Sequence, residues 1–223
     1  MLTGPDHLRV ALDVIGIFAF AVSGGLVGVR ARLDLFGVAV LAWTTGLGGG
    51  VVRDVFLGDV PPVGISDPLS VVTVLVAGLV VVAVYPWLAG LRRRNPGLPL
   101  RGIGSAVRHL DAVGLAVFAV SGSLKAVQLG APPLACVFVG GITAVGGGAI
   151  RDVLVGQIPE VLRREVYAVP AVLGAAIIVV ADRLDVLGAA VIWGTVVLVV
   201  AIRVAAIHLN LNIPTPPDQG VRP

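Results

Sequence analysis

Shifted by 98 residues, the chain aligns with itself: residues 13–61 match residues 111–159 without a gap, at 18 identities in 49 positions. The first copy carries Asp13, Gly16, Phe20-Ala21-Val22-Ser23-Gly24 and then Gly48-Gly49-Gly50-x-x-Arg53-Asp54-Val55-x-x-Gly58-x-x-Pro61. The second carries Asp111, Gly114, Phe118-Ala119-Val120-Ser121-Gly122 and Gly146-Gly147-Gly148-x-x-Arg151-Asp152-Val153-x-x-Gly156-x-x-Pro159. Self-similarity over that length marks a duplicated structural unit, so the fold is expected to be built twice from one plan.

The repeated unit is written in residues that lipid dissolves. With 57% apolar and 13% charged residues and a mean hydropathy of +1.02, the chain lies outside the range of soluble globular domains. Apolar runs of spanning length recur near 10–29, 35–57, 69–91, 110–127, 134–155, 166–181 and 186–206, and a helix of roughly 20 apolar residues crosses a bilayer. The alternating pattern of a membrane barrel is absent, which leaves helices. Ala19-Phe20-Ala21 has the form of a signal cleavage site. The run around it is too long for a signal core, an acid precedes it, and a relative of it recurs in mid-chain, so it is expected to be retained.

Each copy holds two motif-bearing helices and a plainer third, and one helix is left over. Three is odd, so the second copy must enter the membrane from the opposite side. The expected fold is an all-α membrane protein of seven transmembrane helices, an inverted 3+3 repeat plus one C-terminal helix. Its expected segments are a first repeat over 1–91, a cytoplasmic basic linker over 92–109, a second repeat over 110–182, a seventh helix over 183–207 and a disordered tail over 208–223. Seven spans put 12 of the 16 basic residues on one face, leaving only Arg9, Arg53, Lys125 and Arg183 on the other. Cytoplasmic loops are the positive ones, which predicts a cytoplasmic C-terminus and an outer N-terminus. The same distribution explains the pI near 9.7 without nucleic acid. Tyr85, Trp87 and Tyr167 stand where interface anchors are expected, and Ser66 or Asp67 with Pro68 can start the third helix. A single cysteine, Cys136, excludes a disulfide or a cysteine metal site within one chain.

Three consecutive glycines weaken a helix by about 1 kcal/mol each relative to alanine, so both runs need a purpose. Gly48, Gly49 and Gly50, like Gly146, Gly147 and Gly148, serve either close helix packing or a kink whose carbonyls line a polar path. Beyond each run stands an Arg-Asp pair inside or near a span, where charge is expensive. Neighbours on a helix point about 100° apart, so a partner is expected elsewhere: Asp13 for Arg53 and Asp111 for Arg151, with Asp54 and Asp152 in the same clusters. The alternative is that the arginines reach headgroups. Lys125, the only lysine, replaces Val27 of the first copy. It is expected to snorkel to the outer interface, with a role in the path as the alternative. Ser23, Ser121, Thr44, Thr45 and Thr143 offer hydroxyls, which more often bond their own helix. His7, His109 and His208 are too scattered for a relay, and no nucleophile and base are spaced for catalysis.

Paired G-G-G-x-x-R-D-V segments in a chain arranged three, three and one resemble the TRIC family of trimeric intracellular cation channels, in its bacterial branch with a duplicated "glycine transporter" domain. The resemblance covers about 13–206. It implies a homotrimer in a bacterial inner membrane, with one pore per protomer selective for monovalent cations such as potassium, and no cofactor. The second and fifth helices would be kinked at the glycine runs, beside Ser23 and Ser121. Monovalent cations and membrane lipid are then the expected partners, and lipid is the candidate bound molecule. The animal members' phosphoinositide motifs find no match. A secondary transporter of a small neutral solute such as glycine is the competing expectation.

Overall fold

The computed structural model describes residues 4–94, 101–163 and 165–209, and every regular element in them is helical. In chain order these are α1 (Gly4–Arg30), α2 (Leu35–Leu57), the single turn α3 (Val63–Ser66), α4 (Pro68–Arg94), α5 (Arg101–Gln128), α6 (Pro133–Leu154), the single turn α7 (Glu160–Arg163), α8 (Glu165–Arg183) and α9 (Ala189–Leu209). Six of them, α1, α2, α4, α5, α6 and α9, are long and apolar enough to cross a membrane. The 19-residue α8 occupies the expected sixth position.

Local chemistry sets the boundaries. The Gly37 amide donates to Asp34 Oδ1 at 2.7 Å, capping α2. Asp67 is the acceptor that starts α4, taking the Ser70 amide at 2.9 Å and the Ser70 hydroxyl at 2.7 Å, and Pro68 fits the first turn. Both motif helices end at a glycine in the left-handed region, Gly58 and Gly156, each with φ 70°, a conformation a side chain would strain. α4 runs to Arg94 and α5 begins at Arg101, so helix extends into both ends of the expected linker. His208 and Leu209 complete α9; the rest of the expected tail, 210–223, lies outside the described residues.

The centre of the bundle is α1 against α5, the first helix of each copy. A Cβ on Gly16 would lie 2.7 Å from the Phe118 ring, and one on Gly114 would lie 2.5 Å from the Phe20 ring. Further along, the Ser23 hydroxyl donates to Asp111 Oδ1 at 2.6 Å. These pairs climb α1 as they descend α5, so the two corresponding helices run antiparallel. Phe20 and Phe118 sit side by side at the middle, ring centroids 5.4 Å apart. Around this pair α2 and α6 pack on each other, α4 covers α1 and α2, α8 covers α5 and α6, and α9 closes over α5 and α8. α5 is buried on nearly every side from Asp111 to Ala126, the state expected of a helix at the core of a bundle.

Because Phe20 is fully buried, a methyl at Gly114 has nowhere to push it. Gly114→Ala is expected to destabilise the protein by about 1–3 kcal/mol through overpacking. Gly78→Ala, where a Cβ meets nothing within 4 Å, should be neutral or slightly stabilising. Thermal unfolding in detergent distinguishes the two.

Candidate functional site

The glycine runs form a backbone-on-backbone crossing between α2 and α6. A Cβ on Gly49 would strike the Thr143 carbonyl oxygen, and one on Gly147 would strike the Thr45 carbonyl oxygen. A Cβ on Gly48 would lie 2.8 Å from Ile150, and one on Gly146 would lie 3.2 Å from the Gly49 Cα. Helix continues through both runs, and Gly48, Gly49, Gly147 and Gly148 are buried. Glycine here removes bulk so that two helices can touch, and each presents a carbonyl to the other's Cα. Thr45 and Thr143 turn their hydroxyls back to Leu41 O and Val139 O at 2.5 and 2.6 Å.

One turn past the crossing the charged motifs point inward. Arg151 Nη1 lies 2.7 Å from Asp111 Oδ1 and 3.0 Å from Oδ2, and also donates to the Ser23 hydroxyl at 2.7 Å. Arg53 Nη1 lies 3.5 Å from Asp13 Oδ1, and Arg9 Nη1 lies 3.4 Å from Asp13 Oδ2. Arg53 and Arg151 are each 2% exposed, so neither reaches a headgroup. Asp13 and Ser23 are ten residues apart on α1, which separates the two clusters by roughly 15 Å along its axis.

The expectation that adjacent Arg and Asp do not meet is corrected. Arg53 Nε donates to Asp54 Oδ1 at 2.8 Å, and Arg151 Nε and Nη2 donate to Asp152 Oδ1 at 2.9 and 2.8 Å. Cβ directions diverge by the helical angle, but the long arginine arm curls back across it. The second carboxylate oxygen is used as well: Asp54 Oδ2 takes the Val63 amide at 2.9 Å and Asp152 Oδ2 the Glu160 amide at 3.0 Å. Each motif aspartate thereby pins its arginine and the single-turn helix that follows.

Lys125 does not snorkel. It is 5% exposed, and its Nζ lies 2.6 Å from Asp54 Oδ1 and 2.6 Å from Asp59 Oδ2. It ties α5 to the end of α2, a bond the second cluster lacks because Val27 stands at the matching place. Ser121 is fully buried and its hydroxyl has no hydrogen-bond partner among the described residues, unlike Ser23. Tyr167 is not an interface anchor either. It is 1% exposed, beneath Arg203, whose guanidinium carbon lies 4.4 Å from the ring centroid. Sequence reasoning misplaced Tyr167 and missed Asp59 and Arg203. An arginine within the last apolar run was the available signal for Arg203.

Asp111 holds two guanidinium contacts and a hydroxyl, whereas Asp13 holds only long ion pairs. Asp111→Asn is therefore expected to cost at the lower end of the roughly 3–5 kcal/mol for breaking a buried pair. Asp13→Asn should cost clearly less. Parallel denaturation of the two variants in detergent checks the order.

Comparison with known proteins agrees with this geometry. A match to the Glycine transporter family covers residues 10–86 and again residues 108–183. The chain is 40% identical over 208 residues to the UPF0126 inner membrane protein YadS of Escherichia coli (strain K12), covering 92% of this chain and 94% of that one. It superposes on a crystal structure of a prokaryotic TRIC channel in 0.5 M KCl with a TM-score of 0.82 at 31% identity, over 93% and 99% of the two chains. It also superposes on the TRIC trimeric intracellular cation channel orthologue from Rhodobacter sphaeroides with a TM-score of 0.78 at 32% identity, over 91% and 98%. A duplicated family domain, antiparallel first helices and a fold shared with TRIC channels along nearly its whole length make this chain a member of the TRIC family, in the bacterial branch that carries the glycine transporter domain twice.

Proposed function

We propose that the protein is a passive channel for monovalent cations, potassium foremost, assembled as a homotrimer with one path in each protomer. In this reading α8 is the sixth span and brings the count to seven, the copies form an inverted 3+3 repeat, and α9 is the added seventh helix. The protein sits in a bacterial inner membrane with its N-terminus outside and its C-terminus in the cytoplasm, the orientation that the basic residues favour.

The observation that carries the reading is the polar belt through an apolar bundle. Ser23, Ser121, Asp13, Asp111, Arg53 and Arg151 are buried in helices that otherwise present Leu, Val and Phe, and ionisable groups inside a membrane mark routes for ions or solutes. The buried charged residues among those described are Asp13, Asp54, Asp111 and Asp152 against Arg53, Lys125, Arg151 and Arg203. Four negative charges meet four positive ones, so the arginines do not by themselves repel a cation. Kinking at the two glycine runs would free backbone oxygens, packed here against the partner helix, to stand in for part of an ion's hydration. Likeness to TRIC cation channels supports the cargo and the trimer. No cofactor and no catalytic step enter this reading. A groove of about 510 Å³ between α2 and α4, lined by Val38, Trp43, Val74, Leu79 and Val82 among others, offers a lipid chain an apolar seat.

The family's description as a glycine transporter favours one rival, alternating access for a small neutral solute. Purified protein in planar bilayers separates the two. Discrete unitary currents in symmetric potassium salt are expected; saturable glycine exchange without steady current would replace the channel reading by the transporter one.

A further inference from the structure

The two copies differ at their third helices. Burial along α4 and α8 follows the same order when the helices are offset by 97 residues. Ser70, Thr73, Val74 and Ala77 are buried where Tyr167, Pro170, Ala171 and Gly174 are buried, and Val72 and Leu75 are exposed where Val169 and Val172 are exposed. Ser70 therefore stands in the place of Tyr167.

Beside Ser70 a cavity of about 20 Å³ remains, lined also by Asp13, Gly50 and Arg53, which is room for about one water molecule. Asp13 Oδ1 is buried there without a hydrogen bond. At the other end the equivalent space is full. A Cβ on Gly148, the counterpart of Gly50, would lie 2.9 Å from the Tyr167 hydroxyl, and Asp111 is 1% exposed where Asp13 is 8%. The Tyr167 hydroxyl has no hydrogen-bond partner among the described residues. A buried hydroxyl without a partner works against its own position. Ring packing and the Arg203 contact hold the side chain there, with no hydrogen bond to fix it.

Resting on the channel reading, we propose that Tyr167 closes the Arg151 end of the path, filling a space that the Ser70 end leaves to water, and that its withdrawal admits a hydrated monovalent cation to Asp111 and Ser23.

The test uses the full-length protein carrying Cys136→Ala and Ser23→Cys, reconstituted in vesicles and exposed to a cationic, membrane-impermeant thiol reagent. Adding Tyr167→Ser is expected to raise labelling of position 23 by about tenfold, since reaction at a protected site tracks the open population. Potassium current in planar bilayers, measured without the cysteine, should rise severalfold with Tyr167→Ser. Tyr167→Phe keeps the ring and removes the orphaned hydroxyl, so it should lower the current. Ser70→Tyr, the reciprocal change, should lower the current by filling the other end, and it gives a second readout should Tyr167→Ser fail to fold. If no variant carries current but labelling still rises, Tyr167 is the closure and the channel reading alone falls. Unchanged labelling in a folded Tyr167→Ser protein, or undiminished current in a folded Ser70→Tyr protein, overturns the proposal.

Discussion

The contact of backbone on backbone at Gly49 and Gly147 sets where the rest of the polar machinery falls. A single methyl at either place would occupy the partner helix's carbonyl oxygen, so α2 and α6 can cross at this distance only as glycine. In lipid the hydrophobic effect does not drive helices together, and such small-residue contacts do much of the holding. The crossing also determines the depth of the charges. Arg53 and Arg151 follow Gly49 and Gly147 by four residues, about one turn, and so emerge beside α1 and α5 rather than at the headgroups.

Once inside, each arginine has to be satisfied by protein. Its neighbour supplies one oxygen of a carboxylate whose other oxygen caps the next single-turn helix, and the first helix of the same copy brings Asp13 or Asp111 to the guanidinium. Buried pairs of this kind add little net stability, because desolvation offsets their attraction. Their value here is geometric: they fix the rotation of α2 on α1 and of α6 on α5. The second cluster is closed by Ser23 and packed by Tyr167. The first is held by Lys125 and left with a cavity.

The duplication, the helical character and the antiparallel course of α1 and α5 were legible in the chain, because three apolar runs per repeat, each taken as a span, turn the second copy over. Asp13 and Asp111 were legible as partners of Arg53 and Arg151, since membrane sidedness left few acids within reach. The embrace of adjacent Arg and Asp was hidden, because helical angles describe Cβ vectors and say nothing of a long side chain folding back. Lys125 was misread since Asp54 and Asp59 lie far away in sequence. Tyr167 was misread because nearness to a helix end does not reveal which face a residue occupies. The change of offset from 98 in the first two helices to 97 in the third pair arises in the connecting loops, and only burial exposes it.

The central claim is that two copies of one unit cross the bilayer in opposite directions. Single cysteines at Asp59 and at Gln157, equivalent positions just past the motif helices, in a Cys136→Ala background and sealed vesicles of known orientation, test it directly. Impermeant thiol reagent is predicted to reach position 59 only from outside and position 157 only from the cytoplasmic side. Labelling of both from the same side would contradict the account.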